Sequence, residues 1–486
     1  MGLLDDVTVW GGKVFTGEWT ATGHTMPATE PATGDVLGEV GTADAKRLAE
    51  SAERAAEAGR AWAGAPFQER ADVLRRAATL FDEHRAEILT WLVREAGKAA
   101  PAAQLDFDLG LAELREAAAL PAEPWGTLLR TTQPGRISLA RRVPHGVVAV
   151  IAPWNFPLVL ALRSVAPALA TGNAVVLKPA SETAVCCGVA IARLFEEAGL
   201  PPGVLHMLPG KGSELGNAVA EDPHIDMVSF TGSTPVGRKL SEAAGKHFKK
   251  MVSELGGNNA FVVLEDADVG AAAAAGAYGS FAHQGQICMA TGRHLVAAPI
   301  AARYVEAVAK IADGLTVGDP RDDVDLGPVI NESQAEHITD IVERSVEAGA
   351  RVVAGGTRDG LFLRPTVLAD VTPDMPAFTE EIFGPVAVIT SVRDDDEAVR
   401  LANATPYGLV AGIHAGSAGR ARAVGERLRA GMIHINDQTV NDETPAPFGG
   451  IGDSGGSSRF GALTNLDEFT VWQWLTVRDT QSRPTL

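Results

Sequence analysis

The chain is predicted to be an α/β protein with two alternating domains, and three observations carry that expectation. From 147 to 257, apolar runs of strand length alternate with helical patterns, the signature of βαβ units and a parallel sheet. A second alternating series begins near the alanine-rich stretch at Gly270. Finally, 486 residues exceed what one ordinary core accommodates, so two sizeable domains plus smaller excursions are expected.

In the first series the strands fall at 147–152, 174–178, 204–208, 227–231 and 251–255, each ending in a turn that contains Pro or Gly. Ligands in such sheets collect at the carboxyl ends of the strands. Residues 182–198 read as one helix, because Val185, Val189, Ala192 and Phe195 recur at helical spacing and Gly199 is placed to cap it. In the second series, 270–278 reads as a buried helix leading into the segment around Cys288. Strands at 386–391, 409–414 and 432–436 then alternate with helices at 395–404 and 420–430. Two segments fit neither series: 127–143, with a Pro134-Gly135 turn between extended arms, and 469–478, dense in Thr, Val and Trp. Exposed strand edges of this kind call for partners.

Composition narrows the function. Lys and Arg number 42 against 61 Asp and Glu, a formal charge of −19, which argues against nucleic acid as a partner because phosphate binding draws on clustered cations. Three cysteines, two of them the neighbours Cys186 and Cys187, imply no disulfide framework and fit a reducing, cytoplasmic setting. The first residues, Met1-Gly2-Leu3-Leu4-Asp5-Asp6, are acidic where a secretory signal needs positive charge. The most apolar region, 147–162, is cut by Pro153, Asn155 and Pro157 and closed by Arg163, so no membrane span is expected. The eleven histidines show no metal-site spacing and the cysteines form no Cys-x-x-Cys pair, so no metal is expected.

Three segments carry chemistry. Cys288, in Gln284-Gly285-Gln286-Ile287-Cys288-Met289-Ala290-Thr291-Gly292, lies on a glycine-flanked polar turn, where loop placement favours a reactive thiolate. Cys186 and Cys187 lie on the helix facing the sheet and read as small buried hydrophobes. Glu254, in Ser253-Glu254-Leu255-Gly256-Gly257, ends an apolar strand, where burial raises a carboxyl pKa towards that of a base working near neutrality. Asn155, in Pro153-Trp154-Asn155-Phe156-Pro157, offers an amide donor to a developing oxyanion. A nucleophile, a base to activate water and an oxyanion donor make a complete two-step catalyst. A fourth segment, Phe230-Thr231-Gly232-Ser233-Thr234-Pro235-Val236-Gly237, follows a strand and opens a helix, where amides and dipole receive a pyrophosphate, although the middle Gly of the usual dinucleotide fingerprint is replaced.

With these segments in this order, the chain resembles the aldehyde dehydrogenase superfamily from Gly11 to the tail, and the spacing between Glu254 and Cys288 matches. The resemblance implies a Rossmann-type cofactor domain (1–126 and 144–253), an α/β catalytic domain (254–464) and a small oligomerisation sheet (127–143 and 465–486) that bridges subunits of a homodimer or homotetramer. It implies NAD or NADP as cofactor, held by Trp154, Gly232, Ser233, Gly237 and Leu255, by Lys178 at the adenosine ribose, and by Gly210 of Pro209-Gly210-Lys211-Gly212 near the adenine, with Lys211 available to a phosphate. Ser181 stands where NAD-selective members tend to carry Glu; its lack of charge removes a repulsion against a 2′-phosphate, with Glu182 next door leaving the preference open. Glu381 and Phe383 are the implied contacts to the nicotinamide ribose and ring. Trp154, Phe156, Met289 and Phe448 are the apolar candidates for the mouth that takes a small-molecule aldehyde.

The stretches 282–289, His434-Ile435-Asn436-Asp437-Gln438 and Ser458-Arg459-Phe460-Gly461 resemble the benzaldehyde-type branch in particular, hence an aromatic aldehyde oxidised to its carboxylate. Phe460 replaces a Glu that many members carry after the Arg, which argues against aliphatic or betaine-type relatives. Three rivals stay open: a CoA-acylating relative, against which Glu254 speaks; a retired enzyme serving as a structural or ligand-binding protein; and a papain-like thiol hydrolase pairing Cys288 with His283 or His294.

Overall fold

The computed structural model describes residues 2–456 and 458–479. Its first sheet has seven strands in the order Lys250–Glu254, Met227–Thr231, Val147–Ile151, Ala174–Lys178, Leu205–Met207, Lys13–Phe15, Trp19–Ala21. The first five pair in parallel, and Lys13–Phe15 and Trp19–Ala21 are added through antiparallel pairings. Val147–Ile151 and Ala174–Lys178 are buried throughout, as strands covered by helices on both faces must be. Order reverses on either side of Val147–Ile151, which pairs with Ala174–Lys178 on one flank and with Met227–Thr231 on the other. A crevice opens at such a switch point beyond the carboxyl ends, and the segments after those strands, Trp154-Asn155 and Gly232-Ser233, border it.

The five expected strands of this series are present to within a residue of their bounds. The expected single helix over 182–198 is corrected: residues Ala184–Val189 form a π turn, and only Ala190–Glu197 is α-helical. The cause is Glu95, fully buried, whose two carboxylate oxygens accept the Val185 and Cys186 amides at 2.9 and 2.7 Å and hold that turn wide. Cys186 and Cys187 are buried free thiols in the core below it. Four helices that periodicity had not located, Ala45–Ala63, Phe67–Glu83, Arg85–Glu95 and Ala100–Ala117, supply apolar faces around this sheet, as with Leu74, Phe81, Phe107 and Leu111.

The second sheet also has seven strands, in the order Arg351–Ala354, Thr366–Ala369, Val386–Val392, Thr291–Ala297, Asn259–Val263, Val410–His414, Met432–Ile435. All pair in parallel except the first. The alanine-rich helix is present as Val269–Phe281, whereas the helix expected over 420–430 ends early, at Gly425. Beyond Met432–Ile435 the chain turns back to the first domain, where Phe460 and Phe469 pack into its core.

Strands Gly126–Leu129, Arg136–Pro144 and Thr470–Arg478 form a separate antiparallel sheet, with Thr470–Arg478 paired to Arg136–Pro144 along its whole length. Leu128, Trp472 and Trp474 are exposed on it. The end of the 465–486 segment, from 480 onward, lies outside the described residues, as does Met1. Among the described residues no helix is long and apolar enough to cross a membrane.

Candidate active site

Cys288 sits at the junction of two cavities. One, of about 260 Å³, lies in the interdomain crevice and is lined by Trp154, Asn155, Thr231, Gly232, Ser233, Glu254, Leu255, Gly256, Glu381 and Phe383 as well as Cys288. The other, of about 50 Å³, is mainly apolar and is lined by Phe156, Met289, Phe448, Leu105, Leu109 and Val159, again with Asn155 and Cys288. The single thiol therefore faces a polar chamber on one side and an apolar slot on the other.

The geometry follows from the local folding. Phe281 ends the helix Val269–Phe281, and His283 and Gln284 take the left-handed conformation at φ 46° and 56°, so the chain reverses sharply before the nucleophile turn. Gly285 also has positive φ, and a Cβ there would lie 2.1 Å from the Gly384 carbonyl, so only glycine fits. Asn259 fixes the other side of the turn by donating to the Cys288 and Ala290 carbonyls at 2.8 and 2.7 Å. The Asn155 amide donates to the Gln286 carbonyl at 2.9 Å, which orients it across the same junction.

Electrostatics divides the acids. Both Glu254 oxygens are buried without a hydrogen-bond partner, and burial drives its pKa well above the ordinary carboxylate range, with Arg163 opposing. Glu381 accepts the Gly257 amide at 2.7 Å, and burial raises it to about 7. The Cys288 thiol is pushed up to about 12, first by burial and then by the nearby Glu254 and Glu381 carboxylates. A Cβ at Gly449 would stand 2.8 Å from Glu254 Oε1, so the close approach of that backbone is part of how the carboxylate is walled in.

The crevice also suits a dinucleotide. Ser233 caps the helix Thr234–Lys246 without a side-chain hydrogen bond, leaving its first-turn amides uncapped by a hydroxyl. A Cβ on Gly237 would lie 2.3 Å from the Leu255 side chain, so this glycine lets the helix close onto the crevice. Phe383, at φ 52°, meets the Trp154 ring edge-on at 5.5 Å. Lys178, Ser181 and Gly210 lie outside this cavity. Lys178 is buried at the strand's carboxyl end and donates to the Pro179 carbonyl at 3.0 Å; Ser181 and Glu182 are half-buried, and Lys211 is exposed beside Gly210.

The rival thiol–histidine reading finds both histidines bonded elsewhere. His283 Nε2 bonds the Asn155 carbonyl at 2.9 Å, and His294 is tied to Ser280 and Tyr304 at 2.8 Å each. Burial holds both pKa values well down, so both stay neutral. Residues that sequence reasoning missed include Arg163, buried between Glu113 and Asp442 and stacked under Phe448 at 4.5 Å, with Arg163 and Asp442 both lining the apolar slot. The signal was available: Arg163 is the one charge in a helix, Pro157–Ala170, that is buried at every position. Among the described residues no group of three or more His, Cys, Asp or Glu is placed to hold a metal.

Comparison with known proteins identifies this arrangement. The model of the family described as "Aldehyde dehydrogenase family" matches residues 19–475. The chain belongs to the aldehyde dehydrogenase family. It is 53% identical over 481 residues to a vanillin dehydrogenase from an Amycolatopsis species, covering 98% of each chain. It is 47% identical over 471 residues to the benzaldehyde dehydrogenase [NAD(+)] of Pseudomonas putida, covering 96% of each. The solved structure of a salicylaldehyde dehydrogenase from Pseudomonas putida G7, complexed with salicylaldehyde, superposes with a TM-score of 0.93 at 33% identity and covers 97% of this chain and 99% of that one. The α/β two-sheet fold is thus that of an aldehyde dehydrogenase, an NAD(P)-dependent oxidoreductase.

Proposed function

We propose that this aldehyde dehydrogenase oxidises aromatic, benzaldehyde-like aldehydes to their carboxylates through a thioester on Cys288. The observation that carries the reading is the position of that sulfur between a polar crevice and a slot walled by Phe156, Met289 and Phe448. Aromatic and aliphatic walls beside the thiol suit a flat ring, and relatives named for vanillin, benzaldehyde and salicylaldehyde point the same way.

The residues divide the work as follows. Cys288 gives up its thiol proton to solvent water as Sγ adds to the carbonyl carbon, and the Asn155 side-chain amide with the Cys288 backbone N–H holds the oxygen that becomes negative. NAD(P), when bound in the crevice by Trp154, Gly232, Ser233, Gly237, Leu255, Glu381 and Phe383, supplies the acceptor for the hydride that leaves the former aldehyde carbon. Glu254 then takes a proton from water, and the hydroxide displaces Cys288 from the acyl carbon, releasing the acid. Lys178, Ser181 and Gly210 serve the adenosine end; with a neutral Ser181, both NAD and NADP are accepted. Residues 1–126 and 144–253 carry the dinucleotide, 254–464 the nucleophile, and the setting is cytoplasmic.

Mixing the protein with benzaldehyde, hydroxybenzaldehydes and aliphatic aldehydes, each with NAD and with NADP, is expected to give reduced nicotinamide with kcat/KM highest for the aromatic set. Equal or better turnover of short aliphatic aldehydes sinks the aromatic reading. Formation of an acyl-CoA on addition of CoA would make the CoA-acylating alternative the correct one.

The small sheet exposes Trp472, Trp474 and Leu128, an apolar surface out of place on a free monomer, and we assign it to contacts between subunits of a homodimer or homotetramer. Light scattering is expected to give a mass two or four times that of the chain, falling to the monomer when Trp472 and Leu128 are both replaced by Glu. A monomeric wild type overturns this.

A further inference from the structure

A third cavity, of about 470 Å³, lies behind the apolar slot and is lined by Tyr278, Phe281, Ala282, Ile311, Leu315 and Leu326 among others. Leu105, Phe156 and Ile287 line both it and the slot that holds Cys288. The Phe156 ring is the bulkiest element of that shared wall, and its surroundings hold it in place on two sides. Lys98 Nζ lies 3.6 Å from the ring centroid, and the His283 ring meets it edge-on at 5.2 Å. Lys98 is fully buried, and no step of the proposed mechanism uses it.

The ammonium is itself fixed. It faces Asp106 Oδ2 at 3.7 Å, while Asp106 Oδ1 accepts the Val159 amide at 2.9 Å in the first turn of the helix Pro157–Ala170 that follows Phe156. Lys98 Nζ also stands 3.3 Å from His283 Nε2, but that nitrogen donates its proton to the Asn155 carbonyl, so the two are in contact without a hydrogen bond. One buried cation therefore touches the ring and is anchored, through Asp106, to the helix that follows it. A cation over an aromatic face is most effective where water is excluded, as it is here.

We propose that the larger cavity is a closed-off extension of the substrate site, that Phe156 is the partition, and that Lys98 is a positioning residue that keeps the partition shut and so restricts the enzyme to single-ring aldehydes. The class of substrate the extension would take is an aryl aldehyde with a second ring, since its walls are mainly aromatic and aliphatic, with Asp325 and His283 the polar exceptions. The inference rests on the proposed binding of aryl aldehydes beside Cys288.

The test compares kcat/KM for benzaldehyde with that for 4-phenoxybenzaldehyde in the wild type, in Phe156→Ala and in the double variant Lys98→Met/Asp106→Asn, which removes the cation without stranding a buried anion. Both variants are expected to shift the ratio towards the two-ring substrate by about tenfold or more, the scale on which an apolar pocket discriminates by size, with the change carried by KM. Phe156→Leu, which keeps a side chain in the partition, should fall between. A general loss of activity on both substrates at an unchanged ratio would make Lys98 a purely structural residue and overturn the latch. An unchanged ratio in Phe156→Ala would overturn the partition itself. If the wild type oxidises neither aldehyde, the aryl reading fails and takes this inference with it, an outcome distinct from an unchanged ratio in an active wild type.

Discussion

Cys288→Ala is expected to reduce formation of reduced nicotinamide by about 10⁴-fold or more, because removing a nucleophile costs nearly everything the covalent route supplies. Dinucleotide binding, followed by thermal shift, should survive, since the crevice lining contributed by Gly232, Ser233, Glu381 and Phe383 is untouched. The physical chemistry of the site sharpens this. With its pKa pushed to about 12 by burial and by the Glu254 and Glu381 carboxylates, Cys288 rests as a thiol. It must therefore lose its proton as it attacks, and acylation by the wild type should quicken as pH rises. Iodoacetamide labelling should be correspondingly slow at neutral pH and confined to Cys288, because Cys186 and Cys187 are fully buried and their pKa values are raised further. A Cys288→Ala protein that still turns over benzaldehyde would remove the thioester from the account.

What the sequence made legible depended on whether signal and structure were local. The parallel strands of the first sheet are short apolar runs punctuated by Gly or Pro, and they stand where the pattern puts them. The strand Thr291–Ala297 was not legible, although it is central to the second sheet. It opens with Thr, Gly, Arg and His, and those polar residues are tolerated only because Arg293 donates to the Asn258, Leu401 and Ala402 carbonyls and His294 bonds Ser280 and Tyr304. The π turn at Ala184–Val189 was equally hidden, because its cause, Glu95, lies far away in sequence.

The site shows the same division. Cys288, Glu254 and Asn155 stand out in the sequence because each sits in a short glycine- or proline-flanked segment, and the fold brings all three to one cavity. Phe156, Met289 and Phe448 fall together on its apolar side. Arg163 reads in the sequence only as the charge that closes an apolar run, and Lys98, between two helices, is passed over because a charged residue ordinarily reads as solvated. Their acid partners, the buried Glu113 and Asp106 and the half-buried Asp442, come from other parts of the chain.

Glu254→Gln separates the two half-reactions. Acylation does not need the carboxylate as a water-activating base, so the variant should release about one equivalent of reduced nicotinamide per site and then stall, with steady-state turnover down by about 10² to 10⁴. Intact-mass measurement on the stalled protein should find the acyl group on Cys288. The pH dependence follows from the sign of the shift. Burial raises the folded pKa of Glu254, so the basic form that activates water grows as pH rises, and wild-type deacylation should rise through that raised pKa while the variant stays flat. Stability runs the other way. Between the ordinary carboxylate range and the raised folded pKa, the native state holds a proton that the unfolded chain has released, so this residue's stabilising contribution, complete at low pH, is lost as pH climbs through that window. Gln carries no such charge, and the variant should become the more stable protein in alkaline buffer even as it fails to turn over. Steady turnover at the wild-type rate, or a burst that never plateaus, would move the base to another residue.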